Sequence, residues 1–417
     1  MRRIFHLTLL CLVGGVVSAC KPDSVVATES IPTAGVRFIN AVPDSAGAFG
    51  MDLRFVDPTP VESNVQFRIA FRNSPSASAP FVSTAIQFKG ARAGQREFRI
   101  FLDDTIQAIT STVVKDTTVT LVATHNYTAW LWGYGRSAGA DKMHLDFVDE
   151  VVADPAAQVA IRVVNATNAA IDVRAYVQGS AVPAAPTWAN VPPFSASAYV
   201  LVAPASIMYN VQPAGGGAAL FTDARAMPGA VASCSGQVCV PPQQPDEVAT
   251  PGTTVAGSAV SAIVFPRSTP PEPKPATAPA VALLNVAGNV DNGLHSYRVT
   301  FVTPGGQTDG GPASAGVVTS ATAGQVSLSA IAVGSAAVTA RNIYRTLANG
   351  SSYRLLTTLA DNTTTTYTDN TADASLGGPA PTVNSTVRTP QTAAFTVPAI
   401  TFMWDRSPPT GCDPKLC

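Results

Sequence analysis

Two distant stretches of this chain carry nearly the same pattern. "VRFINA" (Val36–Ala41) is followed after a turn by "MDLRFV" (Met51–Val56), and "IRVVNA" (Ile161–Ala166) by "IDVRAY" (Ile171–Tyr176). Both read apolar-Arg-apolar-apolar-Asn-Ala, a turn, then apolar-Asp-apolar-Arg. The offsets are 125 and 120 residues, so the second turn is five residues shorter. A tandem repeat of this kind implies two units of like fold. Alternation in Asp52-Leu53-Arg54-Phe55 and in Asp172-Val173-Arg174-Ala175 marks strands with one buried face. Residues two apart on a strand point the same way, so each Asp and Arg are expected to form a solvated rim pair.

The ends of the repeats also correspond. "YTAWLWGYGR" (Tyr127–Arg136) resembles "VSAIVFPR" (Val260–Arg267), each a strand closing on Arg. In the first repeat "HLDFVDE" (His144–Glu150) follows after seven residues. Its counterpart in the second is "ITFMWDR" (Ile400–Arg406), more than 130 residues downstream. The second repeat is therefore predicted to be split, with a separate module between its last two strands, where loop tips tolerate insertion. "PRSTPPEPKPATAPA" (Pro266–Ala280) reads as a semi-rigid Pro-rich spacer. After it come five strand segments: His295–Thr303, Gly324–Ile331, Arg341–Thr346, Ser352–Leu359 and Thr364–Asp369. Gly, Asn and Asp turns separate them, which suggests one small sandwich with Tyr297, Val299 and Phe301 in its core.

Charged residues make up only 13% of the chain, while Pro (34) and Gly (31) are plentiful, and no long amphipathic helical pattern is present. That composition points to an all-β protein of sandwiches or barrels.

The paired "VRFINAVPD…MDLRFV" and "IRVVNATN…IDVRAYV" units, with "YTAWLWG", resemble the bacterial domain of unknown function numbered 4397. The likeness extends over 36–268 and 390–407. That family is typically exported, often lipoprotein-bound, and brings no established activity. "SYRVTFVTPGGQT…RNIYRT…YRLLTTLADNTTTTYTDNT", over 281–386, resembles fibronectin-type-III-like modules of bacterial surface and phage structural proteins. Neither resemblance supplies catalytic residues. The expected fold is all-β: two tandem β-sandwich domains, with a fibronectin-III-like β-sandwich inserted in the second. The expected divisions are 1–19 signal peptide, 20–35 tether, 36–150 first repeat, 151–268 with 390–408 second repeat, 281–386 inserted module and 409–417 tail.

The N-terminus suggests an address. Arg2 and Arg3 precede an apolar stretch from Ile4 to Val17, too short for the roughly 20 residues of a spanning helix but suited to a secretory signal peptide. Val17-Ser18-Ala19-Cys20 resembles the lipobox of bacterial lipoproteins. The resemblance implies cleavage before Cys20 and acylation there, giving more acyl chains than the two signals that stable anchoring needs. Lys21, where inner-membrane retention favours aspartate, implies the outer membrane, with the chain facing the periplasm or the cell surface. Removing 1–19 leaves 24 Lys and Arg against 27 Asp and Glu, a balance of −3 with no basic stripe for nucleic acid.

Four further cysteines fall in two equal spacings, "CSGQVC" (Cys234, Cys239) and "CDPKLC" (Cys412, Cys417). An even number in an exported chain reads as disulfides of open connectivity. Zinc is the competing reading, although zinc ribbons favour two residues between paired ligands.

Chemistry-bearing motifs are few. No His-x-x-x-His, Gly-x-Ser-x-Gly, phosphate loop or dinucleotide fingerprint is present, and no cofactor is expected. His295, beside a turn signal at Asn292-Gly293, is expected at the surface. His144 lies among Asp141, Asp146, Asp149 and Glu150, but strand alternation would divide these groups between two faces. Asp361, Asp369 and Asp373 are expected to cap turns. Trp130, Trp132 and Tyr134 alternate and so share a face. Exposed, they form a platform for sugar rings or a partner; buried, they fill the core of the first repeat.

The function expected from all this is a lipid-anchored envelope protein with a non-catalytic binding, adhesion or structural role. Its partners would be the membrane, through the lipid, and an envelope protein or glycan. The alternatives are carbohydrate binding in a polymer-degrading system, or a hydrolase with an unrecognised site. An exposed aromatic strip would favour glycan binding, and convergent carboxylates in a cleft would favour an enzyme.

Overall fold

Each apolar-Arg-apolar-apolar-Asn-Ala stretch becomes a central strand. The computed structural model describes residues 31–45, 50–57, 66–73, 86–105, 107–230, 249–389 and 391–408. Cys20, Cys234, Cys239, Cys412 and Cys417 lie outside the described residues, as does the N-terminal apolar segment. Among the described residues no helix is long and apolar enough to cross a membrane.

The first repeat supplies β1 (Thr33–Asn40), β2 (Gly50–Phe55), β3 (Gln66–Ile69), β4 (Lys89–Arg92), β5 (Gly94–Asp103), β6 (Val113–Leu121), β7 (Asn126–Trp132) and β8 (His144–Asp149). A single helical turn, α1 (Gln107–Thr110), interrupts them. The strands form two four-stranded sheets, β4-β1-β7-β8 and β3-β2-β5-β6, with β1 and β7 parallel. Alternate residues of both sheets, among them Phe38, Leu53, Phe98, Ile100, Ala129 and Leu131, close the core between them.

The second repeat reproduces this plan. Its strands are β9 (Val159–Asn165), β10 (Ile171–Val177), β11 (Trp188–Val191), β12 (Ser195–Ala196), β13 (Val200–Val202), β14 (Ile207–Pro213), β15 (Phe221–Arg225) and β16 (Ala259–Phe265). One sheet runs β11-β10-β14-β15; in the other, β9 lies between β12/β13 and its parallel neighbour β16. The place that β8 holds in the first repeat is taken by the distant β26 (Ala399–Arg406). It pairs antiparallel with β16 from Phe265↔Ala399 to Ala259↔Arg406, with a bulge between Ala259 and Val260.

Tyr209 stands in this second core, fully buried, parallel to Trp188 at 6.4 Å and tilted against Phe402 at 5.4 Å. Burial raises its hydroxyl pKa above the ordinary value, and no group among the described residues hydrogen-bonds it. A buried hydroxyl without a partner costs desolvation for no return. Tyr209→Phe is therefore expected to leave stability unchanged or raise it by up to about 1 kcal/mol. A lowered urea midpoint at constant m-value would contradict this.

Between β16 and β26 the chain builds a third sandwich from β17 (Ala280–Leu284), β18 (Gly293–His295), β19 (Tyr297–Thr303), β20 (Gly306–Gln307), β21 (Val317–Thr319), β22 (Gln325–Ser329), β23 (Ala340–Thr346), β24 (Tyr353–Leu359) and β25 (Tyr367–Asp369). Sheets β17-β22-β25 and β20-β19-β23-β24 enclose Tyr297, Val299, Val326, Leu328 and Ile343. Phe301, also expected in that core, is buried too. The predicted strands fall on β19 and β22–β25, while β17, β18, β20 and β21 were not predicted as separate strands.

The Pro-rich spacer is not a free-standing rod. Thr269 donates its amide to Pro43 O (2.9 Å), Arg136 donates to Pro270 O (2.9 Å), and the buried Glu272 faces Arg136 at 3.6 Å. On the return crossing, Arg388 donates its amide to Ser45 O (2.6 Å). Arg72, buried at a left-handed φ of 62°, donates to Pro266 O (2.6 Å) on one crossing and Val397 O (2.5 Å) on the other. Burial lowers its guanidinium pKa to about 10. Both crossings are thus bound to the first sandwich.

Candidate functional site

Strands β7, β9 and β16 are buried on both faces almost throughout, because the two repeats pack sheet against sheet. Ala129 and Leu131 face the first core, and the alternate residues Trp130 and Trp132 face the second repeat. There they pack with Ile39, Val164, Ile263, Phe265 and Met403. The two indoles stack at 5.2 Å, and Trp132 Nε1 donates to Asp146 Oδ2 at 2.8 Å. Both are buried, so they are neither an exposed platform nor the core of one repeat; they are the seam between two. Tyr134 does not continue their face. β7 ends at Trp132, and Gly133 turns the chain at φ +83°, where a Cβ would come within 2.5 Å of Lys142 O. Burial raises the Tyr134 hydroxyl pKa to about 12.

The arginines of the repeated motif meet in this seam. Arg37 Nε donates to Thr128 Oγ1 (2.8 Å), and Thr128 donates to Glu150 Oε1 (2.6 Å). In the second repeat Arg162 Nε donates to Ser261 Oγ (2.7 Å), and Ser261 donates to Asp405 Oδ2 (2.5 Å). The two chains of contact are then exchanged. Arg37 Nη2 bonds Asp405 Oδ1 of the second repeat at 2.5 Å, and Arg162 Nη2 bonds Glu150 Oε2 of the first at 2.7 Å. Tyr199 donates to Asp405 Oδ2 at 2.9 Å.

All four charged side chains are almost completely buried. Burial by itself would raise the Asp405 carboxyl; Arg162 and Arg37, with the hydrogen bonds from Arg37 and Ser261, outweigh it and hold the group below its ordinary value. Burial would lower the Arg162 guanidinium, but Asp405 and Glu150 hold it above its ordinary range. Two cations and two anions with every carboxylate oxygen engaged make a neutral lock. The carboxylates do converge, but each is held by arginine and a hydroxyl.

The seam opens at one end into a polar cleft of about 380 Å³, lined by Thr124, His125, Asn126, Asp149, Val151 and Trp404, with Glu150, Asp405 and Arg406 alongside. His125 Nδ1 lies 2.7 Å from Asp149 Oδ2, both groups about a third exposed. Arg406 pairs with Asp154 at 3.0 Å.

The remaining expected residues are dispersed. His144 sits 3.6 Å from Asp146, and among the described residues no group of three or more His, Cys, Asp or Glu is placed to hold a metal. His295 is not at the surface but fully buried, its ring nitrogens 2.9 Å from Thr346 O and 2.8 Å from Asp291 O. Asp361 caps a turn by accepting the amides of Thr363 and Thr364. Asp369 likewise accepts the Thr371 amide at 3.0 Å, and Asp369 and Asp373 both grip the buried Arg345, at 2.5 and 2.6 Å. The Asp52–Arg54 pair forms at 2.5 Å with Asp52 buried, whereas Asp172 accepts the amide of Asn190 and Arg174 donates to Ala184 O. The sequence signal for the seam was available: the invariant Arg of the two motifs, each on a strand with apolar residues on both faces, was a charge with no solvent to point to.

Fold and seam together define an all-β protein whose two repeated sandwiches are fused face to face. Residues 34–176 match the family model described as a domain of unknown function, DUF4397. That segment holds the first sandwich together with β9 and nearly all of β10. No curated protein matches the chain.

Proposed function

We propose that this protein is an exported, lipid-anchored envelope protein with a non-catalytic binding or structural role. The observation that supports the reading is a polarity in the fold. β1 starts at Thr33, whose carbonyl takes the Thr124 amide at the open end of the seam. Eight residues later, roughly 25 Å at strand rise, the same strand leads to Pro43 and Ser45, where the third sandwich is tied on. A chain anchored through Cys20 would enter the described fold at the Thr33 end of β1, with the third sandwich, which in sequence resembles fibronectin-type-III-like modules, tied on at the other end of that strand. The glycan platform imagined on Trp130, Trp132 and Tyr134 loses its basis, since both indoles are buried.

Cys20→Ala tests the anchor. The variant is expected to leave the membrane fraction or accumulate unprocessed, while the intact mass of the wild type carries added acyl chains. A wild-type mass without lipid overturns the reading.

A further inference from the structure

The open end of the seam differs between the repeats in a way that packing does not require. Thr124 and His125 occupy the same backbone turn as Gly257 and Ser258. The Thr124 amide bonds Thr33 O at 2.8 Å, as the Gly257 amide bonds Gln158 O at 2.8 Å. The amides of His125 and Ser258 each bond the carbonyl three residues back, at 3.2 Å. The turn needs a left-handed residue, φ +66° at Thr124 and +80° at Gly257. Glycine adopts that conformation freely, and a β-branched residue is strained there. Repeat two has the unstrained choice, and repeat one has threonine lining the cleft. Strain of this kind persists where a site uses the side chain. The neighbouring β26 is bulged at the same place, and bulges gather beside binding sites, where they re-aim side chains.

The lining names the ligand's chemistry. Each arginine and seam carboxylate in it is already paired, Arg406 with Asp154 and Glu150 and Asp405 with the two seam arginines, and His125 shares a hydrogen bond with Asp149. A cleft that offers hydroxyl, amide, imidazole and carboxylate groups but no arginine left free for an anion suits an uncharged ligand rich in hydroxyls. Trp404 and Val151 supply the apolar wall; of the four tryptophans Trp404 alone is not buried. An indole beside polar groups matches a sugar ring, apolar on its C–H face and polar at its edge. The volume is that of a small-ligand pocket.

We infer that the cleft between Thr124–Asn126, Asp149 and Trp404 binds a neutral saccharide. This deepens the binding role proposed above and does not depend on the lipid, so failure of either leaves the other standing.

The test titrates the mature chain with glucose, N-acetylglucosamine, maltose, cellobiose and di-N-acetylchitobiose, following tryptophan fluorescence and the Trp404 indole resonance. At least one sugar is expected to saturate with Kd on the order of 1 mM or below. His125→Ser and Asp149→Asn are expected to weaken it about tenfold or more. Thr124→Gly should weaken it as well while raising the thermal midpoint by about 2–4 °C, since it relieves the strained turn. That opposition of signs separates a binding residue from a structural one. No saturable change with any of the five sugars, or binding unaltered in all three variants, overturns the inference.

Discussion

Arg37→Met is expected to destabilise the fused sandwiches by about 3–5 kcal/mol, the usual cost of removing one partner from a buried ion pair. The substitution leaves Asp405, wholly buried, with Arg162 Nη2 at 3.6 Å as its nearest cation. It also frees Thr128 Oγ1 and Trp404 O from their guanidinium contacts. Arg162→Met should cost a similar amount, because Glu150 then loses its 2.7 Å partner. Since Arg37 and Asp405 belong to different repeats, a double-mutant cycle on that pair reads the coupling between the sandwiches directly, expected at about 1–3 kcal/mol. Urea denaturation with an unchanged m-value is the measurement; a loss below about 1 kcal/mol would show that the lock contributes little.

The same pair sets an acid sensitivity. The Asp405 carboxyl is held below its ordinary value in the fold, so the unfolded chain takes up the proton first as pH falls. Its contribution is therefore fully present above the unfolded value, about 3.9, and is lost as pH drops through the lower folded value. Arg37→Met weakens the hold, so acid unfolding should begin at a higher pH in the variant than in the wild type.

Truncation after Thr386 is expected to unfold the second sandwich and open the seam. It removes β26, which pairs with β16 across seven of its residues, together with Met403 and Asp405. A central strand, β16, would then stand as an edge, with unpaired amides and apolar side chains uncovered on both faces. Excision of Thr269–Pro390 in favour of a short Gly/Ser loop should do much less, because Phe265 and Ala399 are already cross-strand neighbours and a short loop closes cheaply. The excised chain should retain cooperative unfolding of the second sandwich, while the first loses the ties from Thr269, Pro270, Glu272 and Arg388. Limited proteolysis distinguishes the two variants: the truncated one is expected to be cut throughout 159–265, and the excised one to resist. Equal resistance in both would mean that β26 is dispensable.

Much of the strand framework could be read from one-dimensional pattern. Apolar alternation, the doubled motif and the echo of "HLDFVDE" in "ITFMWDR" depend only on local periodicity and on the chain matching itself, and these are properties of sequence. The all-β class followed from them and from a Pro- and Gly-rich composition. What pattern could not decide is which face of a strand meets which neighbour. Trp130 and Trp132 were legible as one face, yet whether that face meets solvent, its own core or another sheet depends on the docking of two sandwiches. The arginines of the repeat were visible as a pattern, but the acids that Arg37 bonds, Glu150 and Asp405, lie 113 and 368 residues away. Each arginine reaches the other repeat's acid, an exchange that exists only once the two sheets are stacked. Arg72 carried no signal at all, since its partners are backbone carbonyls of both crossings to the third sandwich, and carbonyls are the same whatever the residue. Local periodicity chose the strands and their repetition; burial between sheets, a long-range property, decided which charges became a lock and where a cleft was left open.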